Sequence, residues 1–178
     1  MTESDGRRIR GQRRRRQLID AALTVLARDG LAGLTHRAVA TEAGVPLASA
    51  TYHFTGIDDL ALSAVLEATA AFVGSIEDRS GGSGIPAYAA ALARELSEHR
   101  GRVIAGYELY LLAARRPALR EAATAWLRAG TDTLLADVDP LRRRAFLAAV
   151  DSVCLKALLT DPVPDTAEVE ALLVHALR

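Results

Sequence analysis

LTHRAVATEAGVPLASATYHF, residues 34–54, is the stretch that decides the fold. Thr35 is a good N-cap, because its hydroxyl can accept a hydrogen bond from a free backbone N–H at a helix start. A short helix then covers 36–43 and ends at Gly44. Pro46 lies in the first turn of another short helix, where proline is tolerated. That helix runs to Phe54, and Thr55-Gly56 breaks the chain. Two short helices about a glycine turn make a helix-turn-helix. The close crossing needs a small residue, and Ala40 supplies it; four positions on, Gly44 can take the positive φ of the turn. Val39, Ala43 and Val45 can pack inward beside Ala50 and Phe54. The outward side of the last helix offers Ala48, Ser49, Tyr52 and His53. Small side chains near its N-terminus let the backbone approach base edges, while hydroxyl and imidazole groups reach phosphates. The same A-x-x-x-G spacing also fits an ordinary helical hairpin, with His36, His53 and Tyr52 as plain surface residues.

The surrounding chain reads as all-α. Half of its 178 residues are hydrophobic, enough for one compact body or a small domain joined to a larger one. Ala, Leu and Arg, all good helix formers, dominate, and long β-branched runs are absent. A helix is predicted over 11–28, with Leu18, Ile19, Ala22, Leu23 and Leu26 on one stripe; Asp29-Gly30 stops it. Beyond the helix-turn-helix, further helices are expected over 58–78, 86–99, 102–115, 117–138, 141–160 and 166–177. The RSGGSG loop at 79–84 and the DPVPD turn at 161–165 punctuate them. The expectation is about nine helices, with a DNA-binding head at 1–57 and a regulatory, dimerising region at 58–178.

Charge is balanced in total, 22 basic against 22 acidic residues, but not in place. Arg7, Arg8, Arg10, Arg13, Arg14, Arg15 and Arg16 crowd the first 16 residues, opposed there only by Glu3 and Asp5. A basic arm suits a polyanion such as DNA; a solvated tail would have the same composition. Cys154 is the one cysteine, so no intramolecular disulfide is possible, and its apolar surroundings suit a buried thiol. No His/Cys cluster has zinc-ligand spacing, and neither a metal nor a cofactor is expected. No Gly-rich phosphate loop or G-x-S-x-G elbow occurs. The acidic residues stand singly on helix faces, so an enzyme is not expected. The polar, basic N-terminus lacks the apolar core of a signal peptide, and ionisable residues interrupt the apolar runs. A cytoplasmic protein with no membrane partner is expected.

Residues 13–68, RRRRQLIDAALTVLARDGLAGLTHRAVATEAGVPLASATYHFTGIDDLALSAVLEA, resemble the N-terminal domain of the tetracycline-repressor (TetR) family. The matching elements stand in order: Ile19, Ala21 and Ala22; Gly30; Leu34-Thr35; Val39-Ala40; Glu42-Ala43-Gly44-Val45; Tyr52-His53-Phe54; Leu60. The resemblance implies double-stranded operator DNA as partner. Thr35 would bond a phosphate, and His36 and Arg37 would approach phosphate or the groove edge. Leu47, Ala48 and Ser49 would face bases; Thr51, Tyr52 and His53 would grip the backbone. Leu47 also has spacing that suits the domain core. The sequence departs from the family pattern at Thr51, where an aromatic is common, and at Leu47, where a polar or basic residue is common. It departs again at Ile57, where many relatives carry a phosphate-contacting lysine. A ligand-binding dimer whose head has lost DNA binding is therefore the alternative, and a basic architectural DNA binder a weaker one.

The helix from 141 to 160 is apolar around most of its circumference, and such a helix must be buried on most sides. Few helices of one chain are left to cover it. A homodimer is expected, built on Phe146, Val150, Val153 and Ala157 with Leu172 and Leu173 of the last helix; the family resemblance implies the same. Tyr107, Tyr110, Leu111 and Ala114 share a stripe on an otherwise aliphatic helix, and Trp126 lies on the next. Aromatic rings with polar tips suit a small-molecule pocket, giving Tyr107, Tyr110, Leu111 and Trp126 as ligand candidates; plain core packing is the alternative. Whether Glu108, one residue off the stripe, enters such a pocket is open.

Overall fold

The computed structural model describes residues 3–77, 84–128, 131–160 and 164–178, and among these there are helices and no strand. They are α1 (Glu3–Gly33), α2 (His36–Glu42), α3 (Leu47–His53), α4 (Ile57–Glu77), α5 (Ile85–Glu98) and α6 (Arg100–Arg115). A 3-10 turn (Pro117–Leu119) leads to α7 (Arg120–Leu127), α8 (Thr131–Leu134), α9 (Pro140–Leu159) and α10 (Thr166–Ala176).

Two apolar cores organise these helices. In the first, Leu18, Ala22 and Leu26 of α1 meet Val39 of α2, Ala50 of α3, Leu60 and Ala64 of α4, and Leu109 of α6. In the second, Tyr88 and Leu96 of α5 meet Phe146 and Val153 of α9 and Val169 and Leu173 of α10. Helix α4 belongs to both, since its C-terminal Phe72 and Ile76 pack on the second core. The helix-turn-helix is thus seated on helices that continue into the remainder of the chain.

Three expectations are corrected. Helix α1 does not begin near Gly11: it starts at Glu3 and carries the arginine run as a helical extension, with a break at Gly30 (φ 67°, ψ −171°). The single helix expected over 117–138 is interrupted. Thr131, fully buried, turns both its N–H and its hydroxyl to the Arg128 carbonyl, and Arg143 caps α8 by donating to the Leu135 and Ala136 carbonyls. These local bonds replace the i−4 ladder that a continuous helix would need. Finally, one apolar run is not cut short: Ile57–Ile76 of α4 is long and apolar enough to cross a membrane. Here its inward face is spent on the two cores. Most of the 79–84 loop and residues 161–163 of the DPVPD turn lie outside the described residues.

Candidate nucleic-acid interface and ligand cavity

The reading head is fixed by local bonds that the sequence dictates. The Thr35 hydroxyl accepts from Ala38 N at 3.0 Å and starts α2. Gly44, at φ +63°, closes it: Val45 N donates to Ala40 O at 2.9 Å and Gly44 N to Thr41 O at 3.1 Å. This is the paired-bond C-terminal motif for which a glycine is favoured. Gln17 of α1 donates to the Ala43 carbonyl at 2.8 Å, tying the turn to the first helix. Val39, Ala40, Ala50 and Phe54 are all at most 3% exposed.

The outer face of α3 then carries Leu47, Ala48, Thr51 and Tyr52 exposed, with Ser49 and His53 half-buried. Tyr52 is 84% exposed and stands edge-on to the His53 ring, centroids 5.2 Å apart. Leu47, whose spacing also suited the core, is 44% exposed. The Thr51 hydroxyl donates back to the Ala48 carbonyl. Arg37 is exposed; His36 is half-buried, and its Nε2 lies sealed with no partner. That nitrogen does not present itself to phosphate, which corrects part of the role expected of His36. Ile57 opens α4 and packs on the first core.

The arginine run divides in two. Arg15 donates to the Ser63 hydroxyl at 3.0 Å and stacks over the Phe54 ring at 5.1 Å. Arg16 pairs with Glu67 at 2.7 Å. Both hold α1 against α4. Arg8, Arg10 and Arg13 are exposed on the extension of α1.

Beyond the head, a partly open cavity is lined by residues of α1, α4, α5, α6, α7 and α9, among them Phe72, Tyr88, Tyr107 and Trp126. Tyr107 and Trp126 meet edge to face, 4.9 Å between centroids. The Tyr107 hydroxyl donates to Asp151 Oδ1 at 2.9 Å. Burial pushes the Tyr88 and Tyr107 phenols upward, so both stay protonated. Burial also pushes the Cys154 thiol up to about 12. Glu95 is raised by burial, partly opposed by Arg102, with which it pairs at 3.3 Å. Asp151 has no cationic partner among the described residues. The cavity therefore holds one carboxylate balanced by Arg102 and one balanced by a phenol alone.

Tyr107 and Trp126 thus line the cavity. Tyr110 and Leu111 do not: they are 44% and 68% exposed. Their stripe runs on along α6 past the end of the cavity, so shared periodicity does not mean a shared wall. Glu108 does not enter the cavity either; its carboxylate accepts from Leu31 N at 2.6 Å. Sequence reasoning missed Tyr88, Phe72, Asp151 and Cys154. They come from α4, α5 and the distant α9, and nothing in their local patterns distinguishes them from core residues.

The expected dimer residues are also redistributed. Phe146, Val153, Ala157 and Leu173 are at most 3% exposed and fill the chain's own second core, because α5 and α10 cover that side of α9. Val150 lines the cavity. Leu172 remains open, 46% exposed. The uncovered face of α9 is a different stripe: Leu141, Ala145, Ala148, Ser152, Leu155 and Leu159, all exposed.

The comparisons with known proteins agree on one family. Residues 18–64 match the family described as bacterial regulatory proteins, tetR family. Residues 84–178 match the tetracyclin repressor-like C-terminal domain. A TetR-family member from Streptomyces coelicolor A3 is 39% identical, with a TM-score of 0.80 over 93% of this chain and 98% of that one. The multidrug binding protein EbrR, solved with ethidium, is 41% identical, with a TM-score of 0.75 over 93% and 99%. A nicotine-responsive transcriptional repressor of Paenarthrobacter nicotinovorans is 43% identical over 63 residues, which span 35% of this chain and 32% of that repressor. With the helix-turn-helix seated on α1 and α4 and a cavity behind it, the chain belongs to the TetR family of DNA-binding, ligand-responsive transcriptional regulators.

Proposed function

We propose that the chain is a homodimeric repressor that binds an inverted-repeat operator and leaves it when an aromatic cation enters the cavity. The head at 1–57 reads DNA: Tyr52 and His53, with Thr35, Arg37 and Thr51, lie against phosphates, while Leu47, Ala48 and Ser49 face base edges. Few long polar side chains reach the bases, so apolar thymine contacts and DNA shape carry much of the preference. The region 58–178 binds ligand and dimerises through the exposed α9 stripe beside Leu172. The protein acts on DNA in the cytoplasm and catalyses no reaction.

One observation carries the ligand class. Asp151, half-buried, faces an aromatic cavity with a phenol as its hydrogen-bond partner, and a partly desolvated carboxylate with no cationic partner among the described residues favours a ligand of opposite sign. Aromatic faces attract cations as well. That EbrR has been solved with ethidium, proflavin and malachite green supports the same class. The test has two arms. Selection from random DNA should return an inverted repeat with half-sites about one helical turn apart, roughly 34–36 Å. Tetraphenylphosphonium, an aromatic cation that does not intercalate, should change Trp126 fluorescence with an affinity that Asp151→Asn reduces tenfold or more. No selected motif would favour a ligand-binding dimer whose head no longer reads DNA, the reading that Ile57 and Leu47 motivate.

A further inference from the structure

We infer that Glu108 is the positioning residue that reports occupancy of the cavity to the reading head, an inference that rests on the ligand-released reading above. Helix α1 breaks at Gly30, which takes the Leu31 N–H out of the helical ladder. The missing acceptor comes from α6, 77 residues on: Glu108 Oε2 lies 2.6 Å from Leu31 N, in a part-buried setting. A hydrogen bond to an ionised carboxylate is about twice as strong as a neutral one. The fit is close. A Cβ on Gly30 would stand 2.9 Å from Glu108 Oε1 and 3.0 Å from Oε2, so the glycine is needed both for its positive φ and for the carboxylate's approach.

The residue before it faces the other way. Tyr107 donates to Asp151 inside the cavity, so two consecutive side chains of α6 hold the ligand site and the end of α1. Helix α6 has little slack between them. Gly101 lies against the Ala27 backbone and Gly106 against the Trp126 ring, with no room for a Cβ at either. Closely packed elements move between discrete arrangements and do not deform smoothly. A cation that takes Asp151 competes with the Tyr107 hydroxyl, and one that also takes the Trp126 ring competes with the Tyr107 ring. The shift of α6 that follows draws Glu108 from Leu31 and frees α1, to which α2 and α3 are tied by Gln17 and the shared core. The clamp is separable from folding, because Leu109 and Ala113 of α6 remain buried in the first core and Arg116 still pairs with Asp58.

The experiment uses the full chain, the selected operator duplex and tetraphenylphosphonium. Glu108→Ala is expected to remain folded and to lose tenfold or more in operator affinity without ligand, about 1.4 kcal/mol. The factor by which the cation weakens operator binding should fall toward one. Glu108→Gln, which keeps an acceptor for Leu31 N, should recover most of both. A merely structural role would lower the melting temperature and leave operator affinity and release of the folded protein unchanged; that result overturns the inference. If the cation does not bind the wild type, the ligand class fails, and the clamp is decided on the ligand-free operator affinities alone. If the wild type binds no selected duplex, the repressor reading itself fails, and exchange of the Leu31 amide then decides. Unchanged exchange on saturating the cavity overturns the clamp, and faster exchange supports it.

Discussion

Val153 and Leu155 are two residues apart on α9, and the same substitution should affect them in opposite ways. Val153 is 3% exposed and packs in the second core; Leu155 is 48% exposed on the outer stripe, between Leu141 at 77% and Leu159 at 86%. Val153→Asp buries a carboxylate with no partner inside the chain itself. The penalty is several kcal/mol, against a total stability on the order of 5–15 kcal/mol for a domain, so the chain itself should melt. Leu155→Asp touches no core of the isolated chain, and a surface change of that kind stays within about 0.5 kcal/mol. Its effect belongs to the dimer. Burying a leucine fully is worth roughly 1.5–3 kcal/mol; Leu155 is already half covered, which leaves about 1 kcal/mol per copy and twice that across a twofold axis. Two carboxylates set into an apolar contact add several more. Since about 1.4 kcal/mol is a factor of ten, the dissociation constant should rise at least a hundredfold. Sedimentation velocity across a dilution series reads the association state, and far-ultraviolet melting reads the fold. An unchanged dimer in Leu155→Asp, or a melt that drops as far as that of Val153→Asp, would refute the assignment of this stripe.

Four further outcomes follow from the same geometry. Tyr52→Ala should weaken binding to all DNA sequences alike, because phosphate contacts position without specifying, whereas Ser49→Ala should change preference at one base; an unchanged selected motif would remove Ser49 from base reading. Replacing the exposed Arg10 and Arg13 by Gln should flatten the salt dependence of log K by about 0.9 for each phosphate they cease to neutralise, and an identical slope would mean that the extension of α1 is only solvated. Gly44→Ala meets no atom within 4 Å, so its cost should be backbone strain alone, about 1–2 kcal/mol at positive φ, read by denaturant titration. Cys154, 4% exposed and with its thiol pushed up to about 12, should resist iodoacetamide at pH 8 and react on unfolding, since the thiolate is the nucleophile; rapid labelling of the native protein would contradict its burial.

The head was legible because its determinants are local. Thr35, Ala40, Gly44 and Phe54 act on neighbours within a turn or two, so their types and spacing constrain the backbone directly. The closing bonds from Val45 to Ala40 and from Gly44 to Thr41 involve residues at most five apart. The division of the arginine run was not legible, because what separates Arg15 and Arg16 from Arg10 and Arg13 is the presence of Ser63 and Glu67 on another helix. The break between α7 and α8 was hidden for a similar reason, since Arg143 of α9 supplies the cap that ends α8.

The cavity and the dimer face show a further limit. An apolar stripe on a helix says that a face is covered, but not what covers it. On α9 the stripe with Phe146 and Val153 and the stripe with Leu155 and Leu159 are nearly equal in apolar character, and only the positions of α5 and α10 decide which belongs to the chain's own core. On α6 the stripe of Tyr107, Tyr110 and Leu111 is continuous in sequence, yet it passes from the cavity wall to the surface within one turn. What singles out Tyr107 is Asp151, 44 residues later, and what singles out Glu108 is a backbone N–H 77 residues earlier. Both are polar contacts between distant elements, and each gives a charged side chain a role that its own helix does not reveal. In a regulator those contacts are where specificity should be sought. Apolar packing sets which helices touch, whereas a few part-buried polar pairs set how the touching surfaces respond when a charged ligand competes for one member.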